Sequence, residues 1–223
     1  MQALRQILHL TAKDLRIEAR SRQTLGLVVV LGILIVTVLG LGLGAQQSGG
    51  PAATAVLWVA YLFSGVLCFE KTMALERHDG ALAGLLLAPL DRGVIYAGKL
   101  LSNLVLMFAV GAVITPVGIL FFGFDLSAHP LGFLAIMGMS LIGFAAVGTL
   151  FAALVSSTRL AGGLLAMVVF PVTLPLVISS TQMMSRLFAE AGQWNGRAFA
   201  ILLAFDLIFV VVSWLAFEWV IEP

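Results

Sequence analysis

The chain has 223 residues, 61% of them hydrophobic and only 10% charged, with a mean hydropathy of +1.11. A soluble domain carries about 25% charged residues, so the composition excludes a water-soluble globular protein and points to an all-α integral membrane protein. The formal net charge of +1 gives no reason to expect nucleic acid as a partner, and a single cysteine, Cys68, rules out an intrachain disulfide or a cysteine metal cluster.

Met1 to Gln23 reads as an amphipathic helix. Leu4, Ile7, Leu8, Thr11, Ala12, Leu15 and Ala19 fall on one stripe. Arg5, Lys13, Arg16, Arg20 and Arg22 supply the polar flank, with Asp14 and Glu18 among them. Such a helix is expected in the membrane interface, its apolar stripe in the acyl boundary and its cations near anionic phosphates. No cleavable signal peptide is expected, because the first apolar run begins near Thr24, after this charged helix, and is long enough to stay in the bilayer. A mitochondrial-type targeting peptide is the competing reading, and the two acids and the immediate run into a span weigh against it.

Thr24 to Ala45 supplies the first span, 22 residues without a charge. Its Gly40 and Gly44 form a small-xxx-small pair that permits close helix approach. QQSGGP then turns the chain, and Ala52 to Phe69 is a second span of 18 uncharged residues. Leu100 to Phe124 is the third, with a kink expected at Pro116. Asp125 and His129 bracket a turn before Pro130. The fourth span lies within Leu131 to Thr158, followed by a short polar turn at Arg159, and the fifth lies within Leu160 to Ser185. Pro171 and Pro175 stand four apart in it, hence on one face, and release carbonyls that only protein or water can satisfy at membrane depth. A bend in the outer half of the span is expected there. Gln182 to Asn195 reads as a short amphipathic segment, and Ala198 to Phe217 is the last span. No repeat or low-complexity linker interrupts residues 1–223, so one transmembrane domain is expected.

The segment Glu70 to Lys99, between the second and third spans, holds four of the twelve Lys and Arg residues and four of the eleven acids, so it lies in water. Leu75, Leu82, Leu85 and Leu86 recur at helical spacing beside Glu76, Arg77 and Asp79, which predicts an amphipathic helix. Pro89 stops it, because it bars the α conformation for Ala88 and brings no backbone donor. Asp91 is placed to cap a second short helix through Ile95 and Tyr96 to Lys99. A helix-break-helix element between two spans is a contact surface; the plainer alternative is a solvated helix lying on lipid headgroups.

Six spans put both ends on one side of the membrane. With the amino terminus inside, the inner segments hold ten basic residues (Arg5, Lys13, Arg16, Arg20, Arg22, Lys71, Arg77, Arg92, Lys99, Arg159) against two outside, Arg186 and Arg197. By the positive-inside rule both termini and the Glu70–Lys99 element are cytoplasmic.

Chemistry is sparse. There is no Gly-x-x-x-x-Gly-Lys-Ser/Thr loop to cradle a nucleotide, no HExxH, and no paired nucleophile and base, so no catalytic residue and no metal site is expected. Asp206 is the one charged residue well inside a span, in its outer half. An intramembrane acid either serves function or bonds a neighbouring helix, and Thr173 and Ser179 are its candidate polar neighbours.

The phrase ERHDGALAGLLLAPLDRGVIYAGK, Glu76 to Lys99, resembles the cytoplasmic loop of type-2 ABC exporter permeases, in which ER, G-[TA]-L, LL, P-L and G-K follow one another between the second and third spans. Within that superfamily the chain resembles the CcmB family over nearly its whole length, through KDLRIEARSR, FEKTMALERHDGALAGLLLAPLDRGVIYAGK and FPVTLPLVI. The resemblance implies a permease subunit of the cytochrome c maturation machinery in the bacterial inner membrane, not itself an enzyme. Its partners would be a cytoplasmic CcmA-like ATPase, CcmC-like and CcmD-like membrane subunits, a CcmE-like haem chaperone and a second permease copy. Haem would be a transported or neighbouring ligand rather than a firmly bound cofactor. It also implies that Glu76, Arg77, Asp79, Gly80, Leu82, Leu85, Leu86, Pro89 and Leu90 couple the permease to the ATPase. Pro171, Pro175 and Asp206 are expected to shape an outer cleft. His129, on the outer turn beside Asp125, is a candidate haem ligand that reads more simply as a polar turn residue. A type-2 exporter of another substrate, a secondary transporter using Asp206, and a purely structural assembly subunit are the alternatives.

Overall fold

Apolar runs of this length leave the backbone no partner but itself, and in a bilayer that demands helices. The computed structural model describes residues 2–21, 23–44, 50–78, 84, 91–156, 163–189 and 194–220. Among them are seven helices: α1 (Gln2–Ser21), α2 (Gln23–Leu43), α3 (Pro51–His78), α4 (Arg92–Phe122), α5 (Pro130–Ser156), α6 (Leu164–Ala189) and α7 (Gly196–Val220). The last six are each long and apolar enough to cross a membrane, and no strand occurs among the described residues.

The ends follow local chemistry. Pro51 and Pro130 open α3 and α5, where a missing N–H costs nothing. The Asp91 carboxylate accepts from the Gly93 N–H at 3.0 Å and caps α4 as expected. At the other end Gly123, with φ 62°, donates to the Ile119 carbonyl.

Several expected boundaries move. The second span does not stop at Phe69, because α3 runs unbroken to His78. Glu70 and Lys71 end the uncharged run, but neither breaks a helix. Likewise the short helix after Asp91 and the third span are one helix, α4, continuous past Pro116. The hydroxyl of Thr115, just before that proline, donates to the Gly111 carbonyl at 2.6 Å. α6 is also one helix through Pro171 and Pro175, and it takes in Gln182–Ala189, so the separate amphipathic segment does not form there. Gly40 and Gly44 share no interface: Gly40 faces the Phe121 ring, whereas Gly44 ends α2 at φ 71° with open space beside it.

α3 and α5 occupy the centre of the bundle. In their most apolar windows 67% and 61% of residues are buried, against 22% for α2 and 28% for α7, whose outward side chains are left for lipid. The central pair approaches closely because each lacks a side chain where the other is bulky. A Cβ at Gly65 would run into the Phe144 ring, and one at Gly148 into the Phe69 ring; the two rings lie 5.1 Å apart. Polar pairs then fix the register. Tyr61 Oη and Thr115 Oγ1 are 2.6 Å apart between α3 and α4. Asn103 Nδ2 donates to Thr149 Oγ1 at 2.9 Å between α4 and α5, and accepts on Oδ1 from Thr72 of α3 at 3.2 Å. Ser140 and Ser180 join α5 to α6 at 2.6 Å.

Candidate functional site

The segment that the sequence singles out is carried on two long helices. α3 spans 28 residues and α4 spans 31, about 42 and 46 Å at 1.5 Å per residue, against a hydrocarbon core of about 30 Å. Both are therefore longer than the hydrocarbon core is thick. Glu76 and Arg77 fall in the last turn of α3. Asp79, Gly80, Leu82, Leu85, Leu86, Pro89 and Leu90 lie outside the described residues.

At the far end of that segment, the first turns of α4 are gripped from two sides. On one side is α7: the Trp214 ring covers Gly93, where a Cβ would collide with it, and Tyr96 packs against Trp214 and Phe217. Arg92 donates to the Glu218 carbonyl at 3.3 Å. On the other side is α1. Leu10 lies so close to Gly98 that a Cβ there would clash. Thr11 Oγ1 is 3.2 Å from the Gly98 carbonyl, Lys99 Nζ is 2.7 Å from Asp14 Oδ2, and Ser102 Oγ donates to the same oxygen at 3.2 Å.

This corrects the reading of α1. Its two acids do not belong to the water-facing flank. Thr11, Asp14 and Glu18 turn toward the bundle, and Glu18, 3% exposed, accepts from the Leu25 N–H at 3.1 Å and so satisfies a free donor at the start of α2. Leu4, Leu8 and Ile17 are exposed instead. The sequence carries one sign of this: Thr11, Asp14 and Glu18 fall at i, i+3 and i+7, a polar stripe of its own. Lys99, 85 positions from Asp14, could not have been paired with it from spacing alone.

Pro171 and Pro175 stand on α6 and Asp206 on α7. Both prolines are exposed on the first half of α6 and line neither described cavity. Asp206, near the middle of α7 and 8% exposed, turns to α5. Its Oδ1 occupies the space beside Gly143, with Leu176 and Phe205 around it, and has no hydrogen-bond partner among the described residues. Of the expected neighbours, Thr173 spends its hydroxyl on the Val169 and Phe170 carbonyls of its own helix, and Ser179 is buried. His129 sits half-buried at the α4–α5 turn. There Ser127 donates through both its hydroxyl (2.6 Å) and its N–H (3.0 Å) to Asp125, which holds that carboxyl below its ordinary value. No group of three or more His, Cys, Asp or Glu residues among the described residues could hold a metal.

Six apolar helices around a sparse, mostly self-satisfied polar interior define a multi-pass integral membrane protein. The family model described as "CcmB protein" matches residues 5–222. The chain belongs to the CcmB family. It is similar to heme exporter protein B of Paracoccus denitrificans, 28% identical over 193 residues that cover 85% of this chain and 87% of the relative. It is also similar to heme exporter protein B of Rhodobacter capsulatus, 28% identical over 95 residues, covering 42% and 44%.

Proposed function

We propose that this chain is the membrane permease subunit of an ABC-type complex in cytochrome c maturation. A separate ATPase subunit acts on it through Glu76–Leu90, and the work drives either haem export or release of the haem-loaded chaperone on the far side. The observation that carries this reading is the family match across residues 5–222, joined by relatives named heme exporter protein B. The physical argument runs with it. α3 and α4 are each longer than the hydrocarbon core and flank the charged, leucine-bearing stretch Glu76–Leu90, and the sequence holds no nucleotide-binding loop, so in this reading hydrolysis belongs to a partner. In this reading the complex sits in the bacterial inner membrane with both termini cytoplasmic, contains two permease copies, and includes CcmC-like, CcmD-like and CcmE-like partners. Haem is cargo or a neighbour's ligand, not a resident cofactor. A secondary transporter would need a relay of ionisable groups, whereas Asp206 looks onto Gly143, Leu176 and Phe205.

The test is the pair Leu85→Ala and Leu86→Ala. Burying one leucine contributes about 1.5–3 kcal/mol, so truncating both is expected to reduce copurification of the ATPase by more than about tenfold and to lower cytochrome c yield, with permease levels unchanged. Normal copurification and normal yield would overturn the proposal.

A further inference from the structure

α1 has three faces, and only two have been accounted for. One meets the bundle through Thr11, Asp14 and Glu18. A second exposes Leu4 and Leu8. The third carries Arg5, His9, Arg16 and Arg20, all exposed, with the exposed Ile17 on its far edge. Because Asp14 and Glu18 point inward, this face bears cations only. A groove of about 650 Å³ runs along it, lined by His9, Ala12, Lys13, Arg16, Ile17 and Arg20.

We propose that this groove holds the headgroup of an anionic phospholipid, its phosphate between Arg16 and Arg20 and its acyl chains beside the flanking apolar residues. Three observations converge on that occupant. First, Arg16 and Arg20 are one helical turn apart, a like-charge pair that destabilises a helix unless an anion lies between them. Second, α1 packs on the opening turns of α2 and α4, at Leu25, Gly98 and Lys99, and span ends are where lipid phosphates lie. Third, the cations have exposed apolar side chains on both sides, Leu4 and Leu8 on one and Ile17 on the other. A lipid covers both kinds of surface at once, while an acidic protein surface or a free phosphate would leave the apolar flanks in water. Lys13, which also lines the groove, is 3.2 Å from Asp14 and is shared with the bundle.

The full chain in a neutral detergent, titrated with a fluorescent short-chain phosphatidylglycerol, tests this directly. Each basic residue at an anionic lipid surface contributes on the order of fivefold in affinity, so Arg16→Gln with Arg20→Gln is expected to weaken binding on the order of 25-fold at low salt. Arg16→Lys with Arg20→Lys keeps the charges and is expected to bind within a few-fold of the unaltered chain, which separates charge from any effect on folding. Phosphatidylcholine is expected not to compete. The proposal is overturned if the Gln pair binds phosphatidylglycerol as tightly as the unaltered chain, or if inorganic phosphate competes as well as the lipid, which would make this a free-anion site. It is equally overturned if the Gln pair keeps the lipid but loses the ATPase, which would assign the face to an acidic protein partner.

Discussion

Asp206 rests on a missing side chain across from it. A Cβ at Gly143 would occupy the position of its Oδ1 and also press on Leu176 and Phe205. Overpacking of that kind costs about 1–3 kcal/mol, so Gly143→Ala is expected to lower the thermal midpoint in detergent. Because the two positions compete for one space, Asp206→Ala should relieve part of that loss, and the double variant should be more stable than the sum of the singles predicts. Strict additivity in the unfolding measurement would mean the two residues do not share the space. That an acid in a span must face protein was legible from the sequence, since lipid makes the alternative costly. That it would face a glycine was not: Gly143 is one of 23 glycines, and nothing local marks the one that lies opposite.

At the scale of elements, the joint between α1 and α4 carries the more consequential charge. Lys99 and Asp14 are 8% and 13% exposed as side chains and 2.7 Å apart, with Ser102 on the same oxygen. Removing one partner of a largely buried pair costs about 3–5 kcal/mol, less where water still reaches it. Lys99→Met is therefore expected to loosen α1, seen as faster amide exchange in residues 8–18, while Lys99→Met with Asp14→Leu restores much of the protection. Unchanged exchange in the single variant would deny the joint any role in holding α1. Helix ends governed by a local device, such as Asp91, Pro130 and Gly123, are written in the few residues around them. The continuation of α3 past Phe69 is not legible in the sequence, because charge reports the water boundary and only a breaker reports the end of a helix. The inward side of α1 is hidden for a related reason: an acid flanked by basic residues looks solvated until a lysine from a distant helix reaches it.

For the whole molecule, six spans could be read from local hydropathy, but their arrangement depends on contacts such as Gly65 with Phe144 that no window sums. Orientation can be tested on the intact protein, because Cys68 is fully buried and leaves a quiet background for thiol labelling. Gly84→Cys is expected to react with a membrane-impermeant maleimide only from the cytoplasmic side, and Ser127→Cys, on the α4–α5 turn, only from the opposite side. The reverse pattern would invert the topology. α3 adds a mechanical consequence. Its Pro51 stands at its first residue and it runs unbroken from there to His78, so it forms a continuous rod longer than the hydrocarbon core is thick. A rod that pivots about its middle moves its two ends in opposite directions. A tilt of about 5° displaces each end of a 42 Å helix by about 2 Å. Were α3 to pivot in this way, a push at the His78 end would be delivered at the Pro51 end with its sign reversed, and a squeeze on one side of the membrane would become a splaying on the other.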